Sequence, residues 1–216
     1  MTRWVNRPEH LVADEAALRG LYAPTHPMAA LKSLGLLDPH AKEFIRRSPF
    51  LCIGTQGREG RADVSPRGDP AGFVTVLDDR TLAIPDRPGN NRLDTLANIL
   101  ANPSVGLLFV VPGFDDTLRI NGTATLSTDP DLLRTMTVND RVPKLAIVVG
   151  VSEVFLHCAK AFRRSRLWDP KARQDRKEMP GLLQMILDQT TGAPQDPAEL
   201  RKLDDGLEAD YRNSMY

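Results

Sequence analysis

The hydrophobic pattern changes period near residue 49. Ahead of that point apolar residues recur at helical spacing. Glu9 to Leu21 carries Leu11, Ala17, Leu18 and Leu21, a mediocre amphipathic stripe. Pro27 to Leu37 opens on a proline, tolerated in a first turn, and repeats at Leu31, Leu34 and Leu37. Asp38-Pro39 reads as a cap plus first-turn proline for a helix through Phe44 and Ile45 to Arg47. Such helices cover a sheet or meet another subunit rather than perform chemistry.

Beyond residue 49 strand signals dominate. Pro49 to Thr55 is apolar and bounded by Gly57, and Arg61 to Ser65 alternates weakly. Gly72 to Leu77 ends in Asp78-Asp79, a tight-turn signal before Thr81 to Ile84. One helix interrupts: Leu93, Leu96, Ala97 and Leu100 form an apolar face, and Asn102-Pro103 stops it because proline disfavours helical geometry in the residue before it. Val105 to Val111 lacks polar alternation and predicts a strand buried on both faces. Leu118 to Ser127 alternates, with Gly122 marking a bulge or close approach, and Lys144 to His157 predicts a long strand bent at Gly150.

The tail differs in character. Asp169 to Met179 is charged and proline-bounded, a surface loop. Leu182, Leu183 and Ile186 predict a short helix, and Leu200, Leu203, Leu207 and Tyr211 another, capped by Asp196-Pro197. About seven strands with one inserted helix exclude a doubly wound fold and predict a closed or partly closed antiparallel barrel with helices around it. The expected organisation is a helical extension (1–48), a barrel core (49–168), and a loop with helices (169–216) that packs on the core or on a dimer partner.

Composition narrows the partners. Lys+Arg and Asp+Glu each total 28, so no overall charge attracts nucleic acid or an acidic membrane, and any anion site must be local. Cys52 and Cys158 lie far apart in sequence, the start MTRWVNRPEH is too polar for a leader, and no apolar run reaches membrane-spanning length. The expectation is a reduced, cytosolic protein without a disulfide or a membrane partner.

Three segments carry candidate chemistry, each beside a plainer alternative. Asn90-Asn91-Arg92 precedes Leu93, with Asp94 three after Asn91, a variant of the reciprocal capping pattern. It reads either as a plain cap with a solvated arginine or as a phosphate site, because helix N-termini offer unpaired N–H groups and arginine adds a fork of donors. Pro88-Gly89 upstream lets backbone approach a ligand. In DVSPRGD, residues 63–69, Pro66 is expected to stop ladder pairing and Arg67 to follow at the turn; the alternative is a hairpin corner with an exposed arginine. Ser65 is no nucleophile elbow, since that motif needs glycine where Asp63 stands, and Arg67-Gly68-Asp69 matches an adhesion tripeptide by coincidence. HCAKAFRRSRLW, residues 157–168, is either a solvated basic helix with Trp168 packed at its foot or a source of cations for the pyrimidine edge of a flavin.

Other routes are closed. His10, His26, His40 and His157 make no metal spacing, and CxxC, HExxH, EF-hand, GxGxxG and Walker motifs are missing. His157 and Cys158 are adjacent, so a strand points them to opposite faces and no thiolate–imidazole pair forms.

The order of DVSPRGDPAGFV, LAIPDRPGNNRLDTLANILANPSVGLLFVVPG and TLRINGTATL, ending in HCAKAFRRSRLW, resembles the pyridoxamine 5'-phosphate oxidase-like superfamily over roughly residues 49–168. The resemblance implies a mainly β fold with flanking helices, the antiparallel, Greek-key-like FMN-binding split β-barrel. It also implies a homodimer with FMN in a groove between subunits. By position it implicates Val64, Ser65, Arg67, Ile84, Asn91 and Arg92 in cofactor binding. Thr117 falls where relatives often place a glutamine from the second subunit, and threonine is shorter. Trp168 matches loosely the tryptophan that true oxidases use for pyridoxal phosphate, and the usual ending of those enzymes is missing, so vitamin B6 oxidation is not implied.

The expectation is therefore a cytosolic FMN-dependent oxidoreductase acting on an unidentified small molecule. Arg67 and Arg92 clamp the phosphate, Lys160 or Arg164 stabilises the reduced ring, and Trp168 flanks it; no side-chain acid or base stands out. Two rivals remain. One is a binding module that stores, senses or carries FMN, haem or another tetrapyrrole, with His157 the one histidine placed for an axial ligand, although a packed strand-end histidine is the plainer reading. The other is a deazaflavin-dependent reductase on the same barrel; the short phosphate-reaching loop favours FMN.

Overall fold

The computed structural model describes residues 7–216; the polar start read as no leader lies partly outside the described residues, at 1–6. The chain divides into two units, Met1–Ser33 and Leu34–Tyr216. In the first, a 3-10 turn at Pro8–His10 precedes helix α1 (Glu15–Gly20) and helix α2 (Pro27–Leu31). The helix expected from Glu9 begins only at Glu15, because the Asp14 carboxylate accepts the Ala17 N–H at 2.8 Å and fixes the start there. The next stops at Leu31 rather than Leu37. Leu34 instead bridges Val154, and Leu37 donates its N–H to the Asp79 carbonyl, both within the second unit.

That unit holds α3 (Pro39–Arg47), β1 (Phe50–Gln56), β2 (Ala62–Gly68), β3 (Thr75–Asp78), β4 (Thr81–Pro85), α4 (Asp94–Ala101), β5 (Ser104–Val110), β6 (Thr117–Ser127), α5 (Pro130–Thr135), β7 (Ala146–His157), α6 (Lys160–Ser165), α7 (Leu182–Asp188) and α8 (Pro197–Ser214). Asp38 caps α3 through the Ala41 N–H at 2.8 Å. Since α3 buries Ala41, Phe44 and Ile45, its inner face joins the core of the second unit.

The seven strands form one antiparallel sheet in the order β2-β1-β5-β6-β7-β4-β3. Leu51, Leu107, Phe109, Leu118, Ile120, Ile147, Leu82 and Ile84 join Ile45 of α3 and Leu96 and Ile99 of α4 in a single buried cluster. Strands from one side of the sheet to the other thus share one interior, and the sheet rolls around it as a split barrel. Burying a side chain such as Leu96 or Ile99 contributes about 1.5–3 kcal/mol, which holds α4 against the barrel. On the outer face, Leu133 and Met136, from and just after α5, cover Ala83 and Ala146.

Two strand expectations are corrected. β5 is not buried on both faces: Val105, Leu107 and Phe109 point into the core, while Gly106, Leu108 and Val110 are half-buried on the outer face. β2 does not stop at Pro66. It runs on with Pro66 opposite Cys52 and Arg67 opposite Leu51, because an edge strand has one side that needs no ladder partner.

Among the described residues no helix is long and apolar enough to cross a membrane, and Cys52 and Cys158 are both thiols. The register of β6 against β7 shifts between Asn121 and Gly122, where a Cβ on Gly122 would run into the Gly150 carbonyl oxygen. Gly122→Ala must push backbone aside and is expected to cost about 3 kcal/mol. Urea denaturation checks this, and an unshifted midpoint would contradict it.

Candidate functional site

The split lies between edge strand β2 and the β4–β3 pair at the other edge. Asp69, just past β2, meets Arg87, just past β4: Arg87 Nε donates to Asp69 Oδ2 at 2.6 Å, with side chains 14% and 1% exposed. Arg87 Nη2 donates to the Met136 carbonyl at 2.9 Å, and the Tyr216 phenol donates to Asp69 Oδ1 at 2.7 Å. Beside this bridge opens a cavity of about 790 Å³, lined by residues 63–68, Phe73, 85–96, 141–144 and Tyr216. Its size suits one cofactor or substrate molecule.

One wall is β2. Asp63, Ser65 and Arg67 are half-buried on one face and alternate with exposed neighbours, Val64 among them at 70% exposure. Arg67 folds back along its own strand, Nη1 donating to Ser65 Oγ at 2.5 Å and to the Pro66 carbonyl at 2.9 Å. Its Nε is buried with no hydrogen-bond partner. Burial holds the Arg67 pKa below its usual value, opposed by the charges of Asp86 and Asp63. A buried donor left unpaired is a costly arrangement for the chain, and it belongs to a side chain that lines the cavity.

The opposite wall is the start of α4. Its N-cap is Leu93, not Asn91, and no side chain caps it. The expected capping pattern fails because Asn90 Oδ1 takes the Arg92 N–H at 3.1 Å, while Asn91 (φ 57) and Leu93 (φ 60) turn left-handed around Arg92. A left-handed leucine costs about 1–2 kcal/mol, so this turn stores strain beside the cavity. The Asp63 carboxylate moors the helix, accepting from Thr95 Oγ1 at 3.1 Å and Thr55 Oγ1 at 3.5 Å, and Asn98 Nδ2 donates to Thr55 Oγ1 at 3.1 Å. The first turn of α4, without a side-chain cap, is thereby held among the residues that line the cavity with Arg67.

Of the sequence-predicted residues, Val64, Ser65, Arg67, Asn91 and Arg92 line this one cavity. Arg92 sits at the rim, 75% exposed, with Nε donating to Asp94 Oδ2 at 2.8 Å. Ile84 does not line it: its side chain is fully buried in the barrel core, because the residue alternation of β4 turns it inward. Thr117, Lys160, Arg164 and Trp168 do not line the cavity of their own chain. Thr117 is buried opposite His157 at the start of β6, and Lys160 and Arg164 are exposed on α6. The Trp168 indole N–H is taken by the Phe114 carbonyl at 2.7 Å, with Phe162 beside the ring. His157 packs against Phe155 with ring centroids 4.9 Å apart.

The cavity also gathers Asp86, Arg87, Arg141, Lys144 and Tyr216, which sequence reasoning missed. Asp86 and Arg87 follow a strand in IPDRPG, where a charged pair at the strand end was the available signal. Arg141, Lys144 and Tyr216 carried none. Five cations and three carboxylates line the cavity, a local positive excess in a chain of zero net charge. Burial raises the Asp86 pKa above the usual carboxylate range, and Arg67 and Lys144 pull it back.

A family model described as Pyridoxamine 5'-phosphate oxidase matches residues 37–158. No curated protein matches. Among solved structures the chain is similar to HupZ of Group A Streptococcus, with 20% identity, a TM-score of 0.47, and coverage of 55% of this chain and 92% of that one. General Stress Protein 26 of Bacillus anthracis gives 16%, 0.42, 54% and 93% in the same order. HutZ, the heme storage protein of Vibrio cholerae, gives 15%, 0.41, 56% and 93%.

Removing one partner of a buried ion pair strands the other charge. Asp69→Asn is expected to destabilise the protein by about 3–5 kcal/mol, read as a lowered thermal midpoint. A midpoint equal to that of the parent would show that the bridge does not hold the split.

Proposed function

Because this chain belongs to the pyridoxamine 5'-phosphate oxidase family, we propose that it is a cytosolic, FMN-dependent oxidoreductase acting on a small molecule, with the cofactor held where two copies of the chain meet. The observation that carries the reading is one cavity lined both by Arg67, whose Nε is buried without a partner, and by a helix start that lacks a side-chain cap. Donors on both walls suit a phosphate, which accepts from several directions at once. The fit with FMN rests on that donor set and on the size of the cavity.

When bound, the flavin supplies the electron-transfer chemistry, and the protein supplies position, charge and exclusion of water. Arg67 and the first turn of α4 hold the phosphate, and Asp63 keeps helix and strand at a fixed separation. Arg92 adds charge at the rim. Asp86 lies in the field of both Arg67 and Lys144 and competes with the phosphate for them. Edge strand β2, with its unpaired side open, is where a second copy is placed in this reading. In such a homodimer the exposed Lys160, Arg164 and Trp168 serve the cavity of the other copy, whereas Thr117 is buried in its own chain. The cysteine thiols are in keeping with a reducing compartment.

Mass spectrometry of the small molecule released on denaturing the purified protein tests the cofactor. FMN is expected; haem, a deazaflavin, or failure to take up added FMN would overturn the proposal. Arg67→Ala is expected to weaken FMN binding about 100-fold, the equivalent of one charged hydrogen-bond set of about 2–3 kcal/mol, and to leave riboflavin binding unchanged. Equal losses for both flavins would remove Arg67 from the phosphate site. Asp86→Asn deletes the competing carboxylate and is expected to tighten FMN severalfold by titration, a weaker Kd being the contrary result.

A further inference from the structure

The phosphate reading uses two stretches of the cavity lining, β2 and the start of α4. A third stretch, residues 141–144 of the loop between α5 and β7, brings Arg141 and Lys144 to the same cavity. Both side chains are exposed, whereas Pro143 between them is buried. The other lining arginines are engaged. Arg87 is bound to Asp69, Arg92 is bound to Asp94, and Arg67 folds back on Ser65. Among the described residues Arg141 makes no side-chain hydrogen bond or ion pair, and Lys144 feels only the field of Asp86.

The loop that carries these two cations is tied at both ends. Asn139 (φ 49) and Asp140 (φ 58) take the left-handed backbone of a two-residue hairpin turn. The turn closes through the Arg141 N–H to the Val138 carbonyl at 2.9 Å and the Val138 N–H to the Arg141 carbonyl at 3.2 Å. Pro143 fixes its own φ and disfavours helical backbone at Val142. At the far end the Asp86 N–H donates to the Leu145 carbonyl at 3.0 Å, and Pro85 pairs with Ala146 at the start of β7. A backbone held in this way leaves only side-chain freedom to lose when a ligand binds.

We propose that Arg141 and Lys144 form a second anion subsite, and that the small molecule acted on beside the flavin carries a carboxylate received there. Arg141 offers a planar fork that takes both oxygens of a carboxylate. Lys144 adds a point charge that Asp86 partly offsets, which suits a monoanion better than a second phosphate dianion. The substrate class rests on the FMN reading, whereas the subsite rests on the cavity alone.

Benzoate and benzamide share a shape and differ in charge, so calorimetric titration of each into the purified protein reads the subsite. The parent is expected to bind benzoate at least tenfold more tightly than benzamide. Arg141→Gln combined with Lys144→Gln is expected to abolish that preference and to change the Kd of FMN less than twofold. Equal affinity of the parent for the two probes, or binding of neither, would overturn the subsite, as would a preference retained in the double variant. A double variant that binds FMN at least tenfold more weakly and riboflavin as before would also overturn it, by placing these cations at the phosphate. A parent that discriminates the probes but takes up no FMN would leave the subsite standing and overturn the cofactor reading.

Discussion

A rolled antiparallel sheet that does not close must be fastened across its gap, and here the fastening is the Asp69–Arg87 ion pair. Each partner stands just beyond a strand on its own side of the split, and both are largely withdrawn from water. A pair in that setting costs desolvation as well as gaining Coulomb energy, so its worth lies more in fixing one geometry than in net stability. The second donor to Asp69, from Tyr216, and the Arg87 bond to Met136 complete the geometry. The β2 wall of the cavity and the residues that follow β4 hang from strands that this bridge ties together.

Within that frame the site follows from conflicts the chain leaves unresolved. Arg67 is placed where burial disfavours its charge and where Nε finds no partner. Asn91 and Leu93 take left-handed backbone, and α4 begins without a side-chain cap. Each is unfavourable alone. Together they point donors and positive charge at one volume, which is how a protein arranges itself for a ligand that supplies the missing acceptors.

Much of the fold was legible in the sequence because it rests on local rules. Asp38-Pro39 and Asp196-Pro197 capped helices where expected, Asn102-Pro103 ended one, and the alternation of residues 118–127 gave a strand with its bulge at Gly122. Asp129-Pro130, the same capping signal, opens α5 and was there to be read. Position in the sheet was not legible. Pro66 stays in a strand only because β2 is an edge, which depends on the pairing of segments distant in sequence, and the outer face of β5 is half-exposed for the same reason. In the site, Arg67, Asn91 and Arg92 were found by local chemistry, and Val64 and Ser65 through the family resemblance. Arg141, Lys144 and Tyr216 reach the cavity through tertiary folding alone, and Ile84 is turned away from it by strand alternation.

The central claim is that an anionic phosphate completes the coordination of Arg67 across from the start of α4. A crystal structure of the protein grown with FMN tests it most directly. The account predicts phosphate oxygens within about 3 Å of the Arg67 guanidinium and of first-turn N–H groups of α4. Flavin bound elsewhere, or Arg67 Nε still without an acceptor in a flavin-loaded crystal, would contradict it.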